Sequence, residues 1–472
     1  MSHEIRADYS QRWMFPPSLE DLVAKDHPVR FIRAFVDQLN LEELGFRMRK
    51  GEEGRPNYAA DLLLKVWLYG YLERIRSSRG LEKACRLNMA LLWLTGMNTP
   101  DHNSLWRFWR DNKKALKEVF RKTVRLGIEA GLVDMVLHAV DGTKITARAS
   151  TDKAWMRKTL EKKLAKLDKV LDRAMSEVER AEEKESGEYR LPEELAGEGK
   201  LRETIREKLA KLDEEDRDHM HQDEPEAQMM KNHEGTRLGY NAQVVVDSKA
   251  GIIVAADVTT DQNDLRQLVP MLEKVQDEIG KVAEETVADG GYCSGEQLDN
   301  AEQSDFPVLV NLSGVRKAEE QGGPYHSSNF NYDDANDCYT CPKGQKLVFE
   351  KNRRHKDKSY ETRIYRCKSA GQCPIRWNCS RDKRGRCVER SPYSDALLRQ
   401  KQKQEGEDKT ALLRRRMVLV EPVFSRVKHL LEFRRWTMGG LEKVKAQWIF
   451  ICSLLNLMRM YPLWREQKLQ FA

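Results

Sequence analysis

Two carboxylates stand where an apolar strand should still be burying its side chains. In "VLHAVDGTKI" (residues 136–145), Val136, Leu137, Ala139 and Val140 supply β-compatible surface, and Asp141 interrupts it. In "EETVADGGY" (residues 284–292), Asp289 does the same. An ionised carboxylate at the edge of an apolar strand costs several kcal/mol unless a cation or hydrogen bonds compensate. Each Asp is followed by Gly, which lets the chain turn sharply and brings backbone close to whatever the carboxylate holds. If the two strands are neighbours the carboxylates converge, and two anions share a site only with a cation between them. Mg²⁺ (or Mn²⁺) suits such a pair, because it takes a few carboxylates and leaves positions for water and phosphate. Taken singly, each Asp-Gly is an ordinary turn.

A two-metal phosphoryl-transfer site needs a third carboxylate. In "LLRRRMVLVEPVFSRVKHLL", Arg414, Glu421 and Lys428 are each seven residues apart. Seven residues are two helical turns to within about 20°, so the three share a stripe able to hold metal and grip phosphate oxygens. Pro422 disturbs a helix at that point, which would put Glu421 in a first turn and take Arg414 off the stripe. Glu432 and Glu442 are rivals, although the position seven beyond Glu442 is Ile449.

The elements that must position these acids follow from periodicity. After Asp141's strand come a hairpin-like strand pair (239–249 and 251–261), an amphipathic helix (264–280), Asp289's strand, a short helix and a further strand (306–314). With intervening segments removed the order is β-β-β-α-β-α-β-α, that of a ribonuclease-H-like α/β core. Residues 1–133 are mostly helical; the helix beginning "DHNSLWRFWR" has Asp101 as N-cap and carries Trp106, Arg107, Trp109 and Arg110. A helix pair followed by an Arg- and Trp-rich helix is compatible with helix-turn-helix DNA binding through Arg107 and Arg110. Residues 150–235 have Leu at helical spacing in a Lys/Glu background, the pattern of an antiparallel helical hairpin turned at "SGEYRLPEELAGEG". The expected organisation is a helical N-terminal domain (1–133), core strands and helices (134–149 and 236–314), the helical insert (150–235), a basic Cys-rich insert (315–405) and C-terminal helices (406–472).

The net charge of +7 is concentrated in residues 343–403, which points to a polyanionic partner. The N-terminal "MSHEIRADYSQRW" has no apolar h-region and "AQWIFICSLLNLM" is too short and polar to span a bilayer, so a cytoplasmic protein is expected. There cysteines serve as metal ligands or buried thiols. Six of the nine, Cys338, Cys341, Cys367, Cys373, Cys379 and Cys387, fall within 50 residues and suggest a structural Zn²⁺ site. The preferred set is Cys341, Cys367, Cys373 and Cys379, with Cys338 as substitute. Reduced free thiols are the alternative, and Cys85, Cys293 and Cys452 are expected in packing. His219 and His221 have metal-like spacing, but a solvated or turn-stabilising role is favoured. Asp223 is a candidate accessory acid.

The blocks "VDGTKI", "VADGGY" and "VEPVFSRVK", in that order, resemble the DDE transposases of bacterial insertion sequences. "DHNSLWRFWR", "GYNAQVVVDSKAGIIVAADVTTDQND" and "GLEKVKAQWIFICSLLNLMRM" extend the likeness over nearly the whole chain, and "CPKGQKL" resembles the start of the family's zinc-ribbon-like insert. The resemblance implies a metal triad of Asp141, Asp289 and Glu421 and a phosphate-contacting Lys428. The family's Arg four residues before the Glu is Met417 here, with Arg416 beside it and Arg414 two turns back. It also implies metal-dependent cleavage and strand transfer on double-stranded DNA during transposition, by a homo-oligomer. The alternatives are a ribonuclease-H-like nuclease that does not rejoin, and a DNA-binding protein that has lost catalysis.

Overall fold

The computed structural model describes residues 18–47, 57–182, 193–232, 235–355 and 358–470. The chain divides into two compact units, one from residues 1–131, 146–227 and 425–472, the other from 132–145 and 228–424.

The first unit is helical. Ala60–Leu72 is buried on nearly every side, as its largely apolar sequence requires. Asp101 caps His102–Asp111, its carboxylate accepting from the backbone N–H of Asn103 and Ser104. The C-terminal helix Leu441–Arg465 packs on Lys113–Glu129, where Asn456 Nδ2 donates to Thr123 Oγ1 at 3.2 Å. Its Phe450 meets Tyr71 and Trp109 edge-on, and those two rings stack at 5.8 Å. Helices Arg157–Glu182 and Glu193–Glu214 pack through a cluster of Leu160, Ile205, Leu212 and Met220. Much of the turn expected between them, residues 183–192, lies outside the described residues. Among the described residues no helix is long and apolar enough to cross a membrane.

The second unit holds a six-stranded sheet of β1 (Leu137–Thr146), β2 (Gln228–Asn232), β3 (Gly235–Asp247), β4 (Ile253–Thr259), β5 (Glu285–Ala288) and β6 (Val308–Val310). The path runs β2-β3-β1-β5-β6, and β4 also pairs with β3. β1, β5 and β6 are parallel, whereas β2 and β4 each run antiparallel to β3. Helix Leu268–Ile279 links β4 to β5, and helix Gly295–Gln303 links β5 to β6. Central β3 is buried continuously from Leu238 to Asp247.

Three features differ from what the sequence suggests. β2 is a strand, although the helical insert is expected to run to residue 235; five residues are too few to show a period, and the pairing with β3 decides their state. β1 does not turn after Asp141 but continues through Gly142 to Thr146. A Cβ on Gly142 would stand 2.2 Å from Gln243 Nε2 and 2.9 Å from Asp264 Oδ1, so this glycine serves close approach within a strand. The Cys-rich stretch, which shows no regular period in sequence, forms a five-stranded antiparallel sheet of β7 (Asn331–Asp333), β8 (Cys338–Thr340), β9 (Lys346–Arg354), β10 (Glu361–Cys367) and β11 (Cys387–Arg390). Phe330, Tyr339, Leu347, Tyr365, Cys367 and Val388 form its core.

Candidate active site

β1 and β5 lie side by side in parallel register, with Val140 opposite Ala288. The next residue on each strand is the aspartate, so Asp141 and Asp289 stand together at the carboxyl ends of neighbouring strands. Asp141 is 18% exposed; its Oδ2 accepts from Arg416 Nη1 at 2.6 Å and its Oδ1 from the Gly142 amide at 2.8 Å. Burial pushes its carboxyl up to about 6; Arg416 opposes that rise and the charge of Asp289 adds to it. Asp289 ends β5 by capping the turn Gly290–Tyr292, Oδ1 accepting from the Gly291 amide at 2.9 Å.

A polar cluster that sequence reasoning misses adjoins this pair. Asp264, in the loop after β4, accepts at Oδ1 from Asn241 Nδ2 and Gln243 Nε2, both at 2.7 Å, and at Oδ2 from Lys144 Nζ at 2.7 Å. The Tyr292 hydroxyl donates to Gln243 Oε1, and burial with the nearby charges of Asp264, Asp141 and Asp289 raises that phenol well above its ordinary value. A Cβ built on Gly291 would lie 2.9 Å from Asp289 Oδ1 and 3.6 Å from Asp264 Oδ2, so the two carboxylates border one small space. The available signal was "YNAQVVV": Asn241 and Gln243 are fully buried in an apolar strand, and buried amides need polar partners.

Glu407–Ser425 is one helix with Pro422 inside it, so Glu421 is in its last turns and not its first. Arg416 faces the sheet's acids, and Val420 and Val423 continue the buried stripe. Five residues turn a helix by about 140° beyond a full turn, which sets Glu421 well away from Arg416's face, exposed beside Arg414. Lys428 falls in the π-helical turn Arg426–Leu430, where the 3.6-residue spacing behind the expected stripe no longer holds. Met417 is exposed. Of the rival acids, Glu432 pairs with Arg74 and Glu442 is exposed in the first turn of Leu441–Arg465. Among the described residues, no three His, Cys, Asp or Glu are placed to hold an ion as they stand. The two aspartates are joined; Glu421 is not gathered with them.

On helix His102–Asp111, Arg107 is exposed and Arg110 pairs with Asp111 at 2.7 Å. Trp106 is exposed, but Trp109 is wholly buried and belongs to the aromatic core.

In the Cys-rich sheet, Cys341, Cys367, Cys373 and Cys379 lie within electrostatic reach of one another, although as they stand they are not gathered closely enough to hold an ion. Burial raises Cys367 and Cys379, opposed by the Ser369 amide at the first and Arg386 at the second; the charges of Cys341 and Cys373 add to the rise at both, and that of Cys367 at Cys379. Cys341 Sγ accepts from the backbone amides of Lys343 and Gln345 at 3.4 and 3.3 Å. Cys338 is buried on β8, and Cys387 is exposed. Cys85 and Cys452 are buried in packing, where burial pushes the Cys85 thiol up to about 11. The histidines are not solvated: His219 and His221 are both buried. His221 braces a turn, Nδ1 accepting from the exposed Asp223's amide at 3.1 Å.

The fold and site thus define a mixed α/β protein with paired acids at the carboxyl ends of parallel strands. Residues 340–461 match a family model described as Transposase DDE domain, and residues 17–111 match one described as Transposase domain (DUF772). Two separate stretches of the chain thus match transposase families, which indicates a DDE transposase of the insertion-sequence type. Glu421, Lys428 and Cys341, Cys367, Cys373 and Cys379 lie in the first match and Arg107 and Arg110 in the second; Asp141 and Asp289 lie outside both. No curated protein and no solved structure matches the chain.

Proposed function

We propose that this transposase cuts DNA at its element's ends and joins the freed 3′-hydroxyls to target DNA. The observation that carries this reading is the register placing Asp141 beside Asp289. Three strands (β1, β3, β4), followed by two parallel strands each reached through a helix, support a ribonuclease-H-like core. The pair fits a divalent cation: two carboxylates adjoin, and one is held up in pKa by burial and by its neighbour's charge. Bound Mg²⁺ or Mn²⁺ would supply water activation and charge neutralisation at the attacking and leaving oxygens. Asp141 and Asp289 hold that charge, and Glu421 is the third carboxylate of the reading. Arg416 occupies Asp141 in a cation's place, so metal binding requires its release, which frees the guanidinium for a backbone phosphate. Arg107, Arg110, Arg414 and Lys428 are further phosphate contacts to duplex DNA, whose affinity falls steeply with salt. Pairing two ends takes at least two copies of the chain, acting in the cytoplasm.

The test is cleavage of labelled element-end duplex with Mg²⁺ or Mn²⁺, using variants checked for retained DNA binding. Asp141→Ala, Asp289→Ala and Glu421→Ala are expected to lose cleavage, while Glu442→Ala keeps it. Joined products establish transfer, and cuts that never rejoin leave a nuclease. A wild type that binds but never cuts removes the proposal.

We assign a structural Zn²⁺ to Cys341, Cys367, Cys373 and Cys379, whose soft donors suit it. Elemental analysis is expected to find about one zinc per chain in wild type and Cys338→Ser, and none in Cys341→Ser or Cys379→Ser. Full zinc in those last two variants would discard the assignment.

A further inference from the structure

Lys144 lies three residues beyond Asp141 on β1, and the proposed cleavage chemistry does not use it. Its side chain is 21% exposed and its ammonium meets Asp264, 14% exposed, at 2.7 Å. An ammonium carries three donors, and this contact engages one of them. The anchor is itself immobilised. Asn241 and Gln243 saturate the other oxygen of Asp264, Tyr292 holds Gln243, and the loop is braced by Gln267 N donating to Asp264 O at 3.0 Å. Gln267 Nε2 also donates to Asp261 Oδ2 at 2.6 Å. A lysine fixed in this way has already given up most of the side-chain freedom that a surface lysine loses on binding. The anchoring carboxylate shares the space over Gly291 with Asp289, so the ammonium is held next to the surroundings of that aspartate.

We propose that Lys144, positioned by Asp264, contacts a phosphate of the DNA strand being cut. This rests on the strand-cutting reading of the Asp141–Asp289 site. The cation's place in the site is separate from any metal's: a compact ammonium balances phosphate charge without occupying carboxylates that the metal needs. Asp264 acts through Lys144 and is a positioning residue.

The experiment measures duplex affinity against salt, and cleavage kinetics, for full-length wild type, Lys144→Gln, Lys144→Arg and Asp264→Asn on labelled element-end duplex. Removing one phosphate contact lowers the salt slope by about one, and removing a placed donor slows chemistry roughly 10²-fold. Lys144→Gln is expected to show both, and Lys144→Arg to restore the slope. Asp264→Asn is expected to keep the slope and lower kcat with KM little changed. An unchanged slope and rate in Lys144→Gln overturn the proposal, as does Lys144→Arg failing as badly as Lys144→Gln. If Lys144→Gln does not fold, amine-reactive footprinting of wild type decides: duplex should protect Lys144, and unaltered labelling overturns the contact. A wild type that does not cut overturns both readings. Cleavage that needs Asp141 and Asp289 but is indifferent to Lys144 overturns this one alone.

Discussion

Asp141→Asn is expected to lower strand cleavage by roughly 10³-fold or more, about 4 kcal/mol of barrier, while making the protein more stable at neutral pH. The carboxyl titrates at about 6 in the fold, against 3.8 for the free group, because burial and Asp289 outweigh Arg416. The folded state therefore holds this proton more tightly than the unfolded state. The stability it brings is complete below pH 3.8 and is lost as pH rises through about 6. By pH 8 the wild type has given up about 3 kcal/mol that an asparagine does not give up. Urea melts from pH 4 to pH 8 should thus converge at the acid end and separate at the alkaline end, with the variant above. Saturating Mg²⁺ or Mn²⁺ should restore the wild type, by about 2.7 kcal/mol at a hundred times Kd, and leave the variant unmoved. Parallel melting curves across this range, or a metal shift that persists in the variant, would remove Asp141 from the cation site.

Trp109→Ala is expected to cost about 3–5 kcal/mol of stability, through the loss of a large buried ring at the centre of the helical unit. The indole has no exposure, stacks on Tyr71, and touches Trp67 and Phe450 at centroid distances of 4.9 and 5.0 Å. Its loss opens a cavity where Ala60–Leu72, His102–Asp111 and Leu441–Arg465 meet. Trp106→Ala, three residues earlier on the same helix and exposed, should stay within about 0.5 kcal/mol. Trp109→Phe should cost markedly less than alanine, since it keeps a ring on Tyr71 and removes an indole N–H without an acceptor among the described residues. Chemical denaturation of the three variants checks this. Equal effects from Trp106→Ala and Trp109→Ala would mean that the helix is rotated from the position described.

These two residues also show where reading along the chain succeeds and where it stops. Asp141 is visible because a charge inside an apolar β-run is an energetic anomaly that local sequence displays by itself. The strand ending at Asp289, the buried helix over 59–75 and the crowding of cysteines after residue 337 are legible for the same local reason. Trp109 reads in sequence only as one of the aromatic residues of an Arg- and Trp-rich helix, with nothing local to say which of them lies inside. Its helix carries aromatic and basic residues on adjacent faces, and only packing against Tyr71 and Phe450 decides which face is inside. The helix around Glu421 is legible as well and runs on past Pro422 to Ser425, so the alternative that puts Glu421 in a first turn falls.

What the sequence determined alone is the chemical inventory and its local frames: two strand-end aspartates, a basic acid-bearing helix, a cysteine cluster, and the periodicities that make each element helix or strand. Tertiary structure decided which groups meet. Arg416 reaches Asp141 across 275 residues of chain, and Lys144 reaches Asp264 across 120. Gly142 is needed because a glutamine from another strand passes over it, not because the chain turns. The physical reason is one of range. Burial cost and backbone preference act between near neighbours in sequence, so they are written locally. Ion pairs and side-chain contacts depend on strand register and helix rotation, which exist only once distant segments have packed.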